Sequence, residues 1–160
     1  MKIKSLTIFC SASNKIDKKF FKMSKEVAEI ISNYNIKVIY GGGNVGLMGV
    51  IAKTLASLNK EVIGVIPKFL IKKEKISLKV KQLKIVSSMS KRKEYLYKLG
   101  DAYLILPGGT GTLEEVIEVL SWKILKLHNK PIIFLNFDNY WTPLLKQFEK
   151  IIEYKFGNKN

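Results

Sequence analysis

Six short apolar runs alternate along the chain with segments of helical period, and this alternation leaves few folds open. Leu6–Cys10, Ile36–Tyr40, Glu61–Ile66, Gln82–Val86, Ala102–Leu106 and Pro131–Leu135 read as strands. Between the first two, Phe20, Phe21, Val27, Ala28, Ile30 and Ile31 recur at helical spacing, which predicts a helix over about Asp17–Asn33. Further helices are expected at Leu47–Leu58, Ser90–Leu99, Leu113–Leu127 and Trp141–Tyr154. Apolar strands spaced by helices form a parallel sheet covered on both faces. The expected fold is therefore α/β: a single-domain, Rossmann-like, doubly wound parallel sheet spanning residues 1–160, with no internal repeat or linker. Residues 68–81 are lysine-rich and irregular, a surface loop or lid. In such a sheet, ligands gather outside the carboxyl ends of the strands.

Two glycine-rich loops fall at such ends. The first, Gly41-Gly42-Gly43-Asn44-Val45-Gly46, follows the second strand and lacks the lysine of a Walker A loop. Gly41, Gly43 and Gly46 fit the G-x-G-x-x-G spacing of a dinucleotide fingerprint. The loop follows the wrong strand for that motif, however, and no acidic residue closes the third strand to grip a ribose. The second loop, Pro107-Gly108-Gly109-Thr110-Gly111-Thr112, leads directly into a helix. Bare backbone amides and the positive end of the helix dipole make an anion site there, with Thr110 and Thr112 adding hydroxyl donors. The spacing Thr112-Leu-Glu-Glu115 also satisfies a capping box, with Thr112 as N-cap. Both uses are compatible.

Glu114 and Glu115 are then expected in the first helical turn, where carboxylates stabilise the dipole. Beside a phosphate cradle a purely structural acid is repelled by the ligand; a catalytic carboxylate with an arginine close by is not. Met89-Ser90-Lys91-Arg92-Lys93 supplies that arginine, although the same run would also serve as a solvated basic helix face.

Composition narrows the chemistry. A single cysteine, Cys10, leaves no internal disulfide framework or thiolate metal cluster, and a single histidine, His128, leaves no multi-histidine metal site. No apolar run reaches the roughly 18 residues of a membrane span, and the N-terminal residues lack a secretory h-region, so a reducing, cytoplasmic setting is expected. The 28 Lys and Arg against 13 Asp and Glu give a net charge of +15. The basic residues are scattered through residues 15–19, 72–84, 91–93 and 146–159 rather than aligned in one stripe, and Lys, Ile and Asn are abundant together, as AT-rich coding drift also produces. Small anionic substrates are the expected partners rather than nucleic acid or membrane.

Together these segments carry a resemblance. Pro107-Gly-Gly-Thr-Gly-Thr-Leu-Glu-Glu115 resembles the P-G-G-x-G-T-x-x-E motif of the Lonely Guy (LOG) family, the cytokinin riboside 5′-monophosphate phosphoribohydrolases. Tyr40-Gly-Gly-Gly-Asn-Val-Gly-Leu-Met-Gly49 is similar to its Y-G-G-G-x-x-G-L-M-G segment, and Met89–Lys93 to its M-H-x-R-K segment. Ser90 replaces the usual histidine and Ser11-Ala12-Ser13 replaces a G-S-S, departures that bear on base preference and positioning. Pro67, Leu70 and Glu74 keep a P-x-x-L-x-x-x-E spacing whose glutamate contacts the base in the family, though a solvated glutamate in a lysine-rich loop fits as well. Members also carry the label lysine decarboxylase, but these motifs hold no pyridoxal-phosphate signature.

The resemblance implies hydrolysis of the N-glycosidic bond of a cytokinin riboside 5′-monophosphate or related purine nucleotide, releasing free base and ribose 5-phosphate. Arg92 and Glu115 would be catalytic. Gly43, Gly46, Met89, Lys93, Gly108, Gly109, Thr110, Gly111, Thr112, Glu114 and Glu74 would hold the substrate, with no metal and no organic cofactor. A homodimer or higher homo-oligomer is also implied, and Leu120, Trp122 and Leu125 are candidates for its buried patch or, equally, for the core. The rival reading is a non-catalytic carrier of a phosphorylated cofactor, such as a molybdenum cofactor carrier, which needs the cradle but not the Arg92–Glu115 pair.

Overall fold

The computed structural model describes residues 2–71, 80 and 82–157. Its strands are β1 (Ser5–Phe9), β2 (Lys37–Tyr40), β3 (Val62–Pro67), β4 (Gln82–Val86), β5 (Ala102–Ile105) and β6 (Ile132–Phe134). The helices are α1 (Lys18–Ser32), α2 (Gly46–Ser57), α3 (Met89–Leu99), α4 (Thr110–Ile124) and α5 (Thr142–Glu153). All strand pairs are parallel and the sheet order is β4-β3-β2-β1-β5-β6. Glu74 lies outside the described residues.

Side chains alternate across the sheet with the period of two that a strand imposes. Leu6, Ile8 and Cys10 from the β1 segment join Ala102 and Leu106 in one core, against Met23, Ala28 and Ile31 of α1 and Leu47, Ile51 and Leu55 of α2. Phe9, Tyr103 and Ile105 point the other way, against Leu96 and Tyr97 of α3, Val116 and Val119 of α4, and Leu144 and Leu145 of α5. Helices therefore cover both faces. The chain leaves β1 towards one face and β5 towards the other, although these strands are neighbours, with Leu6 beside Ala102 and Phe9 beside Ile105. A crevice opens between two such diverging connections, and this is the switch point of the sheet.

The helix after the second glycine loop begins earlier than its sequence suggests. Its N-cap is Gly109, without a side-chain cap bond, so the capping box built on Thr112 does not form. Thr112 is buried inside the first turn, and Glu115 is buried in the second. Neither Glu114 nor Glu115 is in the first turn. At its other end α4 stops at Ile124 rather than Leu127. Lys126 adopts φ +60°, and the amides of Lys126 and Leu127 bond back to the carbonyls of Lys123 and Trp122 at 3.0 and 2.9 Å. This is a left-handed helix stop built without the glycine that usually signals one.

Candidate active site

The site grows from the first turn of α3. Ser88 caps that helix by accepting a hydrogen bond from the Lys91 amide at 3.2 Å, which sends Arg92 inward under the ends of β2 and β3. Its guanidinium uses three nitrogens. Nε donates to the Val65 carbonyl at 3.2 Å, Nη2 to the Gly41 carbonyl at 3.2 Å, and Nη1 to Glu115 Oε1 at 3.3 Å. Both Arg92 and Glu115 are 8% exposed. A buried carboxylate is costly unless paired, and a guanidinium so tightly held supplies the pair. The structure thus brings together two residues 23 positions apart.

The first glycine loop serves this arrangement more than it serves a ligand. A Cβ on Gly41 would lie 2.0 Å from Arg92 Nη2, so the arginine occupies the space a side chain would take. Gly46 has φ +60°, and a Cβ there would lie 2.6 Å from the backbone of Ser11 and Ala12. Its amide donates to Asn14 Oδ1 at 2.8 Å and that of Leu47 to the Ser11 carbonyl at 2.9 Å. The start of α2 is therefore satisfied from within the protein. Gly43 and Gly46 do not line the cavity, and Gly41 and Gly46 stand where the fold leaves no room for a side chain.

At α4 the reverse holds. The first amides of a helix have no intrahelical acceptor, and the N-cap here is a glycine without a side chain. Cβ atoms on Gly109 and Gly111 would meet nothing within 4 Å, so nothing in the fold requires these two glycines. Gly108 differs: a Cβ there would lie 2.2 Å from Thr112 Oγ1. A cavity of about 370 Å³ connects the bare helix start to the ion pair, lined by Gly109–Thr112, Glu114, Glu115, Arg92, Met89, Gly41 and the turn Ser11–Ser13. Ile8, Met48 and Leu70 add apolar wall.

Lys93 does not line the cavity. Its ammonium sits between Glu114 and Glu118 at 2.8 Å from each, bolting α3 to α4. The hydrogen bonds to these carboxylates raise its pKa. Ser90, at the family's histidine position, is exposed and outside the lining. The Ser11–Ser13 turn was not among the site residues expected from sequence. The Ser11 amide donates to Pro107 O at 3.1 Å, and its carbonyl accepts from Leu47, so it ties the two glycine loops together. Its place after the strand at the switch point was the available signal.

Cys10 also faces the cavity. Burial pushes its thiol well above the usual range; the Glu115 carboxylate adds to this and Arg92 partly opposes it. A thiol held protonated is no nucleophile. A pyridoxal-phosphate aldimine needs a cavity lysine, and none of the described lining residues is one, so these residues do not fit that cofactor. The arrangement suits an anion at the α4 terminus with a charged carboxylate facing whatever is attached to it.

The family described as possible lysine decarboxylase matches residues 48–160. A cytokinin riboside 5′-monophosphate phosphoribohydrolase of Arabidopsis thaliana is 40% identical over 157 residues, covering 97% of this chain and 73% of that protein. One from Rhodococcoides fascians is 40% identical over 147 residues, covering 91% of this chain and 74% of the relative. A probable phosphoribohydrolase of the same name from Oryza sativa subsp. japonica is 39% identical over 155 residues, 97% of this chain, but the chain spans only 64% of that relative's length. Among solved structures, the molybdenum cofactor binding protein of Rippkaea orientalis superposes with a TM-score of 0.71 at 20% identity, covering 94% of this chain and 86% of that one. The Moco carrier protein of Chlamydomonas reinhardtii has a TM-score of 0.71 at 18% identity, covering 91% and 85%. At such identities the likeness shows the fold alone.

Proposed function

We propose that this chain, which belongs to the family of cytokinin riboside 5′-monophosphate phosphoribohydrolases, hydrolyses the N-glycosidic bond of a cytokinin riboside 5′-monophosphate or a related purine nucleoside 5′-monophosphate. One observation carries the reading: a buried arginine–glutamate pair shares a cavity with a bare helix N-terminus whose two open glycines the fold itself does not need. The amides of Gly109, Thr110, Gly111 and Thr112 would hold the 5′-phosphate, with the threonine hydroxyls assisting. The ribose would then lie against Glu115 and the purine against Met89, Met48 and Leu70. As the bond between C1′ and the base nitrogen breaks, its electron pair leaves with the base and positive charge grows on the sugar. The Glu115 carboxylate stabilises that charge and takes a proton from the water that attacks C1′; the proton then passes through solvent to the departing base, restoring the carboxylate. Arg92 fixes the carboxylate in place. Lys93 acts through Glu114 and Glu118, setting α3 against α4.

Two further statements belong to the same reading. The chain works in the cytoplasm, in keeping with a buried free cysteine; no described helix is long and apolar enough to cross a membrane. It assembles as a homodimer through α4 and α5, where the exposed Ile117, Ile124 and Ile152 line, with Leu120, a largely apolar groove of about 710 Å³. Of the candidates for that patch, Leu125 is 67% exposed, whereas Trp122 packs edge-on against Tyr97 with ring centroids 4.8 Å apart.

Incubation of the purified protein with a panel of nucleoside 5′-monophosphates, including AMP and N6-isopentenyl-AMP, tests the activity. Release of ribose 5-phosphate and free base is expected. Tight binding of a phosphorylated ligand without release from any member of the panel would instead favour the carrier, which has no use for the Arg92–Glu115 pair.

A further inference from the structure

The peptide that opens the phosphate cradle is held from outside the cavity by a residue absent from the sequence motifs. The Tyr140 hydroxyl donates to the Gly108 carbonyl at 2.6 Å. Tyr140 does not line the cavity. The Gly108 carbonyl and the Gly109 N–H belong to one peptide plane, and the structure has no cis peptide among the described residues. In a trans peptide these two groups point in opposite directions. Holding the carbonyl towards Tyr140 therefore aims the Gly109 N–H away from it, and Gly109 lies in the cavity wall.

A latch is needed at this peptide. Two successive glycines have no Cβ to resist rotation of the plane between them, and Gly109 has open space around it. Unheld, the plane could turn its carbonyl inward and present a negative dipole to the anion. The tyrosine is partly exposed, at 43%, but its ring has aromatic neighbours. Its ring packs edge-on against Trp141 at 4.9 Å and Phe20 at 6.1 Å between centroids. The turn before it is clamped to α1 by the Lys19–Asp138 ion pair and the Phe20–Phe137 contact. A hydrogen bond accepted by the carbonyl also polarises the amide across the plane, strengthening it as a donor.

We infer that Tyr140 is a positioning residue for the phosphate: its hydroxyl fixes the Gly108–Gly109 peptide so that the Gly109 N–H faces the substrate's 5′-phosphate. This rests on the phosphate-cradle reading above but not on catalysis. The test is Tyr140→Phe, which keeps the ring contacts and removes only the hydroxyl. Binding of ribose 5-phosphate and of adenine is measured by calorimetry alongside a thermal melt. The expected result is a ribose 5-phosphate Kd raised about 5- to 10-fold, the scale of one hydrogen bond. Adenine affinity should be unchanged and melting temperature should fall by no more than a few degrees, and in turnover KM should rise while kcat holds. Unchanged ribose 5-phosphate affinity, equal weakening of both ligands, or a melting temperature lowered by many degrees overturns the assignment. A wild type that binds ribose 5-phosphate but cleaves no nucleotide removes the hydrolase reading and leaves this test standing. A wild type that binds no ribose 5-phosphate overturns both.

Discussion

On the proposed reading Glu115 and Arg92 carry the chemistry, and their substitutions should not behave alike. Glu115→Gln removes the charge and keeps the shape, so turnover should fall about 10²-fold or more, while the hydrogen bond its amide oxygen can still accept keeps the stability loss smaller than for Arg92→Ala. Arg92→Ala removes three hydrogen bonds and one side of a buried ion pair, so stability should also drop by about 3–5 kcal/mol. Thermal melts and single-turnover rates on both variants check this; near-normal turnover in Glu115→Gln would sink the catalytic assignment. The glycines of the second loop divide in the same manner. Gly111→Ala has room for its methyl and lies within α4, so it should raise stability by roughly 0.5–1 kcal/mol. If the open glycines serve the phosphate, that same variant should bind ribose 5-phosphate several-fold more weakly. Gly108→Ala, which meets Thr112 Oγ1, should lower stability instead.

At the scale of elements, the α4–β6 connection should make the fold pH-sensitive. His128 Nε2 lies 2.9 Å from the Val119 carbonyl of α4, and its Nδ1 accepts from the Lys130 amide at 3.2 Å. The Tyr103 ring is packed against it. That acceptor role requires the neutral ring. Burial, and then the nearby Lys123 and Lys130 charges, push its pKa below the ordinary 6.5, although the Val119 bond opposes them. A pKa depressed in the folded state means that the contribution is fully present above 6.5 and is lost as pH falls through the folded value. Melting temperature should therefore decline below about pH 6.5, and His128→Gln should flatten that part of the curve. An unchanged slope in the variant would locate the sensitivity elsewhere. The stop of α4 belongs here too: Lys126→Gly should stabilise slightly, because glycine adopts φ +60° without strain.

For the whole molecule, the exposed apolar groove between α4 and α5 decides the expected assembly. Monomers rarely leave such a patch open, and it adjoins the helix that carries Glu115. Light scattering should report at least a dimer. Ile124→Glu, placing a charge at a residue 65% exposed in the single chain, should shift the population towards monomer with no loss of melting temperature at high dilution. A wild type that stays monomeric and fully active would refute the dimer. The sheet order makes a second prediction at this scale. If the switch point between β1 and β5 seats the phosphate, nucleoside 5′-monophosphates should react and the matching nucleosides should not, since remote binding lowers the barrier only when present. Equal turnover of both would displace the phosphate from the α4 terminus.

The alternation of apolar runs and helical segments was enough to predict the six strands and the two-faced sheet, because strand and helix periods are written in local spacing. The candidates Arg92, Glu115 and the Pro107–Thr112 loop stood out for the same reason: bare glycines ahead of a helix, and charges beside them, are local patterns. What local spacing cannot carry is which groups meet. The capping box at Thr112–Glu115 satisfied every sequence rule, yet Glu115 is taken by an arginine 23 residues away. Gly41 and Gly46 matched a nucleotide fingerprint, yet one makes room for that arginine and the other abuts the chain at residues 11–13. Tyr140 bears no motif and gains its role from a carbonyl 32 residues distant. Each outcome depends on the strand order, which brings β1 beside β5, and only the tertiary structure sets that distance.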